Sequence, residues 1–193
     1  MTEPTEPTEP PKALPPGAFP PEDVELDGFR LRRPAPADDV ALLDAIKTSF
    51  AELHPWMPWC TEPVEIGDQR AFIERSAQQW VEQTAFNWFV VDTDDALAGT
   101  ISIMDRIGPG GVEIGYWLRS DATGRGVMTR AAARVTDIAL GLAGVDRVEI
   151  HCDAANARSA AIPQRLGYRL DREERREARA PGETGVMQVW ITP

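Results

Sequence analysis

"VEIGYWLRSDATGRGVMTRAA" (residues 112–132) sets strand chemistry, a glycine-framed turn and helix chemistry end to end. The opening "VEIGYWL" is rich in β-branched and aromatic side chains, and the stretch that begins at Val127 runs into an alanine-rich segment. Gly124 and Gly126 flank Arg125 where the two meet. Glycine is a poor helix former, so a pair of them at the mouth of a helix needs a reason. One reason is conformational: without a Cβ the chain can turn sharply. The other is chemical: a glycine turn feeding a helix exposes unpaired amide N–H groups that can cradle an anion such as a phosphate. These residues alone leave both readings open.

Working outward, "GFRLRRP" (28–34) alternates as a first strand. Asp38 or Asp39 is placed to cap a helix whose apolar side carries Val40, Leu42, Leu43 and Ile46. "ELHPWMPWC" (52–60) holds two prolines and reads as a stiffened loop, followed by a second helix over about 65–83 that buries Ile66, Ala71, Phe72, Ile73 and Trp80. "NWFVVD" (87–92) and "ALAGTISIMDRI" (96–107) form a hairpin through "TDD", and "GPGG" (108–111) turns the chain into "VEIGYWL". After the glycine turn comes a helix over about 127–141 ended by Gly144, then the strand "RVEIHC" (147–152). A short helix in "ANARSAAIPQRLGY" (155–168), closed by Gly167, and the strands "YRLDREE" and "VMQVWIT" complete the pattern. This order predicts an α/β (α+β) single domain: a mixed, mainly antiparallel central sheet flanked by helices.

The 193 residues carry 20 basic and 31 acidic side chains, a net charge of −11, which argues against a nucleic-acid binder and mildly favours a cationic partner such as an amine. No apolar run approaches the ~18 residues that cross a bilayer. Residues 1–21, with their repeated Thr-Glu-Pro, lack the basic and apolar regions of a secretory signal and read as an extended, disordered tail. The folded domain is then 22–193, and removal of the tail is expected to cost little stability. Cys60 and Cys152 are too few for a disulfide framework, which suits a reducing, cytoplasmic setting. His54 and His151 are the only histidines, and no spacing resembles a metal-ligand set. His151, on a strand, reads as a satisfied half-buried side chain. The P-loop needs Lys-Ser or Lys-Thr after its last glycine, where Val127 and Met128 stand, and the dinucleotide fingerprint needs a glycine at Thr129.

Strand, Gly-x-Gly turn, alanine-rich helix, strand and then "NARSAAIPQRLGY" resembles the GNAT superfamily of N-acetyltransferases. With "HPWMPW" upstream, it is most similar to the RimJ/RimL-like branch, over about residues 28–192. The resemblance implies an acetyl-coenzyme A (acetyl-CoA) cosubstrate whose pyrophosphate lies on the amides of Gly124, Arg125, Gly126, Val127, Met128 and Thr129. It implies too that the strand ending Trp117-Leu118 carries the pantetheine arm. The implied acceptor is a primary amine, foremost a protein N-terminal α-amine. A small-molecule amine, or a silent acyl-CoA-binding module, are the alternatives. Nucleic-acid, membrane and metal partners are not expected, and the protein is expected to be a monomer or homodimer.

The same resemblance gives roles to individual residues. Glu113 is the leading general base, Ser159 the proton donor to the departing thiolate, and Asn156 the partner of the coenzyme arm. Asn156 and Ser159 are also ordinary helix-cap types at a cap spacing. Glu113 could equally be a carboxylate paired with an arginine. His54, Trp56 and Trp59 fall where such enzymes build the acceptor site. Four departures stand out: Asp121 where the turn usually begins with Arg or Gln, Thr123 where Gln or Arg is common, Pro163 where many relatives carry a catalytic tyrosine, and Arg179 where the RimL-like pattern has a second glutamate, with Glu177 nearby.

Overall fold

The computed structural model describes residues 12–192. Eight strands form one sheet in the order β1-β2-β3-β4-β5-β6-β8-β7. They are β1 (Asp23–Leu26), β2 (Phe29–Arg32), β3 (Ala85–Asp92), β4 (Leu97–Met104), β5 (Gly110–Leu118), β6 (Val145–Asp153), β7 (Arg169–Arg175) and β8 (Val186–Ile191). Five helices accompany them: α1 (Asp39–Thr48), α2 (Phe50–Leu53), α3 (Ile66–Glu82), α4 (Val127–Leu140) and α5 (Ala157–Arg165). Every neighbouring pair is antiparallel except β5 with β6, which is parallel. The mixed, mainly antiparallel sheet expected from the sequence is the fold observed.

Helices lie on both faces, and that explains the composition of β3 and β4. A strand covered on both sides carries apolar residues continuously rather than in alternation, and β3 is buried from Ala85 through Val91. α4 lays Val127, Ala131, Val135 and Ile138 on one face of the sheet, and small alanines let it approach closely. On the other face, Leu42 and Ile46 of α1 and Ile73 of α3 pack with Phe89, Val91 and Trp117.

Several sequence expectations are corrected. Strand β1 precedes the predicted first strand, and the two pair as a hairpin from Asp23↔Arg32 to Leu26↔Phe29. Val40 is 65% exposed, because α1 turns Leu42, Ala45 and Ile46 inward instead. Neither Asp38 nor Asp39 caps α1 with its side chain. Asp38 is drawn to Arg32 (2.8 Å) and Asp39 to Arg70 (2.7 Å), ion pairs that outcompete a cap for the carboxylates. Gly141, not Gly144, ends α4, and Gly144 serves the turn into β6.

The largest correction concerns residues 12–21, expected as part of a disordered tail. They lie as an extended strap against the domain. Asp105 accepts the backbone N–H groups of Ala13 (2.9 Å) and Leu14 (3.0 Å), and Leu14 is buried. Phe19 meets Phe86 edge-on at 6.0 Å, and Trp88 donates its indole N–H to the Pro21 carbonyl (3.1 Å). Proline excludes helix and central strand but not burial; the apolar Leu14 and Phe19 between the prolines cover core side chains of β3. The remainder of the tail, residues 1–11, lies outside the described residues. Asp105 is itself buried, so its replacement leaves the Leu14 amide without a partner. Asp105→Ala is expected to cost about 1–3 kcal/mol in a urea unfolding titration, the usual penalty for a stranded buried donor.

Candidate active site

The site begins with a break in pairing. β5 and β6 are registered from Gly110↔Val145 to Glu113↔Glu149, and there the parallel ladder stops. β5 nevertheless continues to Leu118, held by β4, and β6 to Asp153, held by β8. Beyond Glu113 and Glu149 the strands therefore diverge, and the Ile114–Leu118 edge of β5 faces a gap instead of a neighbour. A cavity of about 870 Å³ occupies this region. An unpaired strand edge in a cavity wall offers backbone donors and acceptors to an extended ligand.

The glycine turn lies where β5 gives way to α4. Gly124 (φ +76°) and Gly126 (φ +70°) are both in the left-handed region, which explains their composition locally. The first helical bond of α4 runs from the Arg130 N–H to the Gly126 carbonyl (3.1 Å). The amides of Val127, Met128 and Thr129 thus precede it and have no acceptor within the helix. No side chain caps this end, which carries the positive pole of a 14-residue helix. The Val127 and Met128 side chains are buried in the core, so only their backbone amides are presented outward.

Asp121 is turned to Arg119, which binds its carboxylate (2.9 Å) and also reaches Asp44 (2.6 Å). Arg125 stands with its guanidinium 5.4 Å from the Phe29 ring centre, a cation–π contact.

The expected site residues separate into groups. Glu113, Trp117, Asn156, Ser159, Trp56 and Trp59 all line the cavity. His54 does not join them. Its Nδ1 meets the Cys60 carbonyl at 2.7 Å and its ring stacks on Phe50 at 5.0 Å, so it fastens the 54–60 loop to itself. That loop is further fixed by the Gly182 N–H, which donates to the Pro55 carbonyl (2.8 Å), bringing the β7–β8 connection over it.

Asn156 is the N-cap of α5: its side-chain oxygen accepts the Ser159 N–H at 3.1 Å. The second half of that helix holds an unexpected arrangement. Pro163 has no N–H, so the Ser159 carbonyl four residues back loses its helical donor. Tyr116 of β5 supplies one instead, its hydroxyl donating to that carbonyl at 3.0 Å across the gap. The Ser159 hydroxyl in turn donates to the Tyr116 oxygen at 3.4 Å. Burial, more than any other influence, raises the Tyr116 phenol above its ordinary range and keeps it protonated. Burial also pushes the neighbouring Cys152 thiol up to about 11, so it remains a neutral thiol in the cavity wall.

At the floor, where β5 and β6 part, Glu113 is held by Arg106 through two hydrogen bonds of 2.9 and 2.7 Å. Glu149 is buried beside it and accepts from Arg147 Nε (2.8 Å) and faces His151 Nε2 (2.7 Å). Burial alone would raise the Glu149 carboxyl, but the bonds from Arg147 and His151 outweigh it and hold the group below its usual range. Sequence reasoning assigns no side-chain function to Tyr116, Arg106, Glu149 or His151. The available signal is the alternation of Glu149 and His151, which puts both on one strand face beside the parallel-paired Glu113.

A mainly antiparallel sheet with one parting parallel pair, and an amide-bearing helix end, together form a cleft between two strands with backbone donors exposed at its edge. The comparisons with known proteins identify the family. Residues 29–169 match the model of the acetyltransferase (GNAT) domain, and the chain belongs to the GNAT family of N-acetyltransferases. It is 32% identical over 77 residues to a Bacillus subtilis (strain 168) protein named "Putative ribosomal N-acetyltransferase YdaF", a match spanning 39% of this chain and 42% of that relative. Among solved structures it is similar to the microcin C7 self-immunity acetyltransferase MccE in complex with acetyl-CoA and AMP (TM-score 0.81, 23% identity, 91% of this chain and 98% of that one). It is similar also to the ribosomal-protein-S5-alanine acetyltransferase of Vibrio fischeri (TM-score 0.77, 20% identity, 88% and 95%) and to Mycobacterium smegmatis RimJ in complex with CoA-disulfide (TM-score 0.74, 19% identity, 85% and 81%).

The far wall depends on Asp153, whose carboxylate accepts from the N–H groups of Ala155 (2.9 Å), Thr184 (2.9 Å) and Gly185 (3.1 Å) and from the Thr184 hydroxyl (2.9 Å). Burial opposes ionisation here, but these bonds outweigh it and hold the carboxyl below its usual range. A depressed folded-state pKa stabilises the fold above the unfolded value of about 3.9 and ceases to do so as pH falls through the folded value. Asp153→Asn should therefore lower stability at neutral pH by about 1–3 kcal/mol. It should also flatten the acid side of the stability–pH curve, as read by urea unfolding between about pH 6 and 3.

Proposed function

We propose that this protein transfers the acetyl group of acetyl-CoA to a primary amine, foremost the α-amine at the N-terminus of a protein of the ribosomal class. The observation that carries the coenzyme is the pairing of an uncapped α4 N-terminus with the free edge of β5. The first suits a diphosphate through oriented N–H groups and the helix dipole; the second suits the amides of a pantetheine arm laid as an added strand. The acceptor class is supported by the ribosomal name of the Bacillus relative and by the RimJ-type and S5-alanine neighbours. Two free, buried thiols fit a reducing compartment, the cytoplasm. No helix among the described residues is long and apolar enough to cross a membrane.

The chemistry follows from the parts. The amine enters beside Trp56 and Trp59, whose rings can hold its apolar neighbourhood and meet a cation face-on. An α-amine with a pKa near ~8 is already about one-tenth neutral at pH 7, whereas a lysine at ~10.4 is almost wholly protonated. An N-terminal acceptor thus needs less help to become nucleophilic. The amine attacks the thioester carbon, the C–S bond breaks, and the departing sulfur takes a proton. Ser159 is the donor assigned to that step, with Tyr116 orienting its hydroxyl from across the gap. Holding both reactants in line supplies much of the acceleration, since effective molarities of about 10⁵–10⁸ M are known for aligned groups.

A second reading keeps the reaction and exchanges the acceptor for a small-molecule amine. The likeness to MccE, a self-immunity enzyme solved with AMP, favours it.

Acetyl-CoA is expected to raise the melting temperature, because ligand binds the folded state alone. Gly126→Val should remove most of that rise: a branched side chain at φ +70° is strained, and its Cβ stands 3.2 Å from the Arg130 guanidinium. An undiminished shift in this variant would overturn the cradle. Free-thiol release with acetyl-CoA and a panel of hexapeptides beginning with serine, alanine or methionine, beside spermidine and kanamycin, decides the acceptor. Ser159→Ala should lower saturating turnover about 10²-fold with acetyl-CoA binding nearly unchanged. A fully active variant would leave Ser159 only its backbone N–H, which caps α5 through Asn156.

A further inference from the structure

We propose that His151 accepts the proton of the attacking amine, held for that task between Glu149 and Glu113. The inference rests on the acetyl-transfer reading above and replaces Glu113 as the base. Both Glu113 oxygens already accept from the Arg106 fork, at 2.9 and 2.7 Å, which commits that carboxylate to an ion pair. His151 lines the cavity on the same strand face, with a side chain 21% exposed.

The tautomer is settled by the neighbour. His151 Nε2 lies 2.7 Å from Glu149 Oε2. An ionised carboxylate can only accept a hydrogen bond, so Nε2 carries the hydrogen and, in the neutral ring, Nδ1 carries the lone pair. That nitrogen lies 3.6 Å from Glu113 Oε2, too far for a direct bond without a proton but close enough to stabilise one on arrival. A carboxylate behind one nitrogen of a ring that lines a cavity is the arrangement that orients an imidazole as a base.

The charges around the ring are balanced rather than uniformly acidic. Glu113 of β5 is backed by Arg106, and Glu149 of β6 by Arg147 (2.8 Å) and Arg172 of β7 (3.7 Å). β8 sets Val189 opposite His151, and α3 adds Asp68 and Arg75 to the cavity wall. Against the opposing effect of burial, the Glu149 carboxyl, the one bonded to the ring, is held below its usual range by Arg147 and His151.

The step balances. The amine nitrogen bonds to the thioester carbon, and the resulting ammonium gives one proton to Nδ1. The C–S bond then breaks, the thiolate takes the Ser159 hydroxyl proton, and the proton held by the imidazolium returns through water to Ser159, which restores both groups.

The test compares wild type with His151→Gln, which keeps a donor toward Glu149 but has no titrating nitrogen. Thiol release is followed from pH 6 to 9 with acetyl-CoA and the hexapeptide or small amine of the panel that the wild type uses best. His151→Gln should lose about 10²-fold in kcat near neutral pH and recover progressively as pH rises and the amine supplies its own neutral form. Its melting-temperature rise with acetyl-CoA should persist. Turnover within about threefold of wild type at every pH, or a loss that is equal at every pH, would overturn the proposal, since the latter marks a structural role. A wild type that binds acetyl-CoA but acetylates no member of the panel would instead overturn the acceptor reading on which this one rests.

Discussion

The parting of β5 and β6 governs this structure. A parallel ladder that ran their full length would leave no gap, no free edge and no floor for the charged cluster. It stops at Glu113↔Glu149, where two carboxylates stand side by side on adjacent strands. Like charges at that spacing are tolerated only because arginines attend them: Arg106 on one, Arg147 and Arg172 on the other. Above that point each strand must find its hydrogen bonds elsewhere, β5 in β4 and β6 in β8. The order β6-β8-β7, with the last strand inserted beside β6, is what makes this possible. A central sheet can thus stay continuous along one end and open along the other, with the facing edges of β5 and β6 left unpaired in the gap.

The architecture is legible in the chain because its signals are local. Alternation marks the strands, glycines and aspartates mark the turns, and the alanine-rich run after Gly126 marks α4. The glycine turn at the head of α4 is legible for a similar reason: it is a backbone feature, and backbone features follow from where glycine stands. The strap at residues 12–21 escapes such reading because proline content reports on hydrogen-bonding capacity, not on burial. Nothing local says that Asp105, 91 residues beyond Leu14, accepts its amide.

The charged floor and the Tyr116–Ser159 contact are hidden for a different reason. They are cross-strand and strand-to-helix relations, set by register rather than by neighbouring letters. The two histidines illustrate the point. His54 sits in a loop crowded with aromatic residues and has the local signature of a site residue, yet it bonds to its own loop. His151 has the local signature of an ordinary strand residue, yet register places it between two glutamates. The sequence allows that Glu113 pairs with an arginine, and only geometry names Arg106 as the partner.

Pro163 gives α5 a property that no ordinary helix of its length would have. By withholding one N–H it leaves the Ser159 carbonyl without its helical donor, and the Tyr116 hydroxyl takes that place. The two walls of the gap are consequently not independent surfaces that happen to face one another. They are clasped by a single phenol, anchored on one and latched to the other. Any molecule that threads between them must share its passage with that clasp, so the width of the slot is set by a side chain rather than by the spacing of the main chain. A fold that many sequences can adopt thereby acquires, at one atom, a gauge of its own.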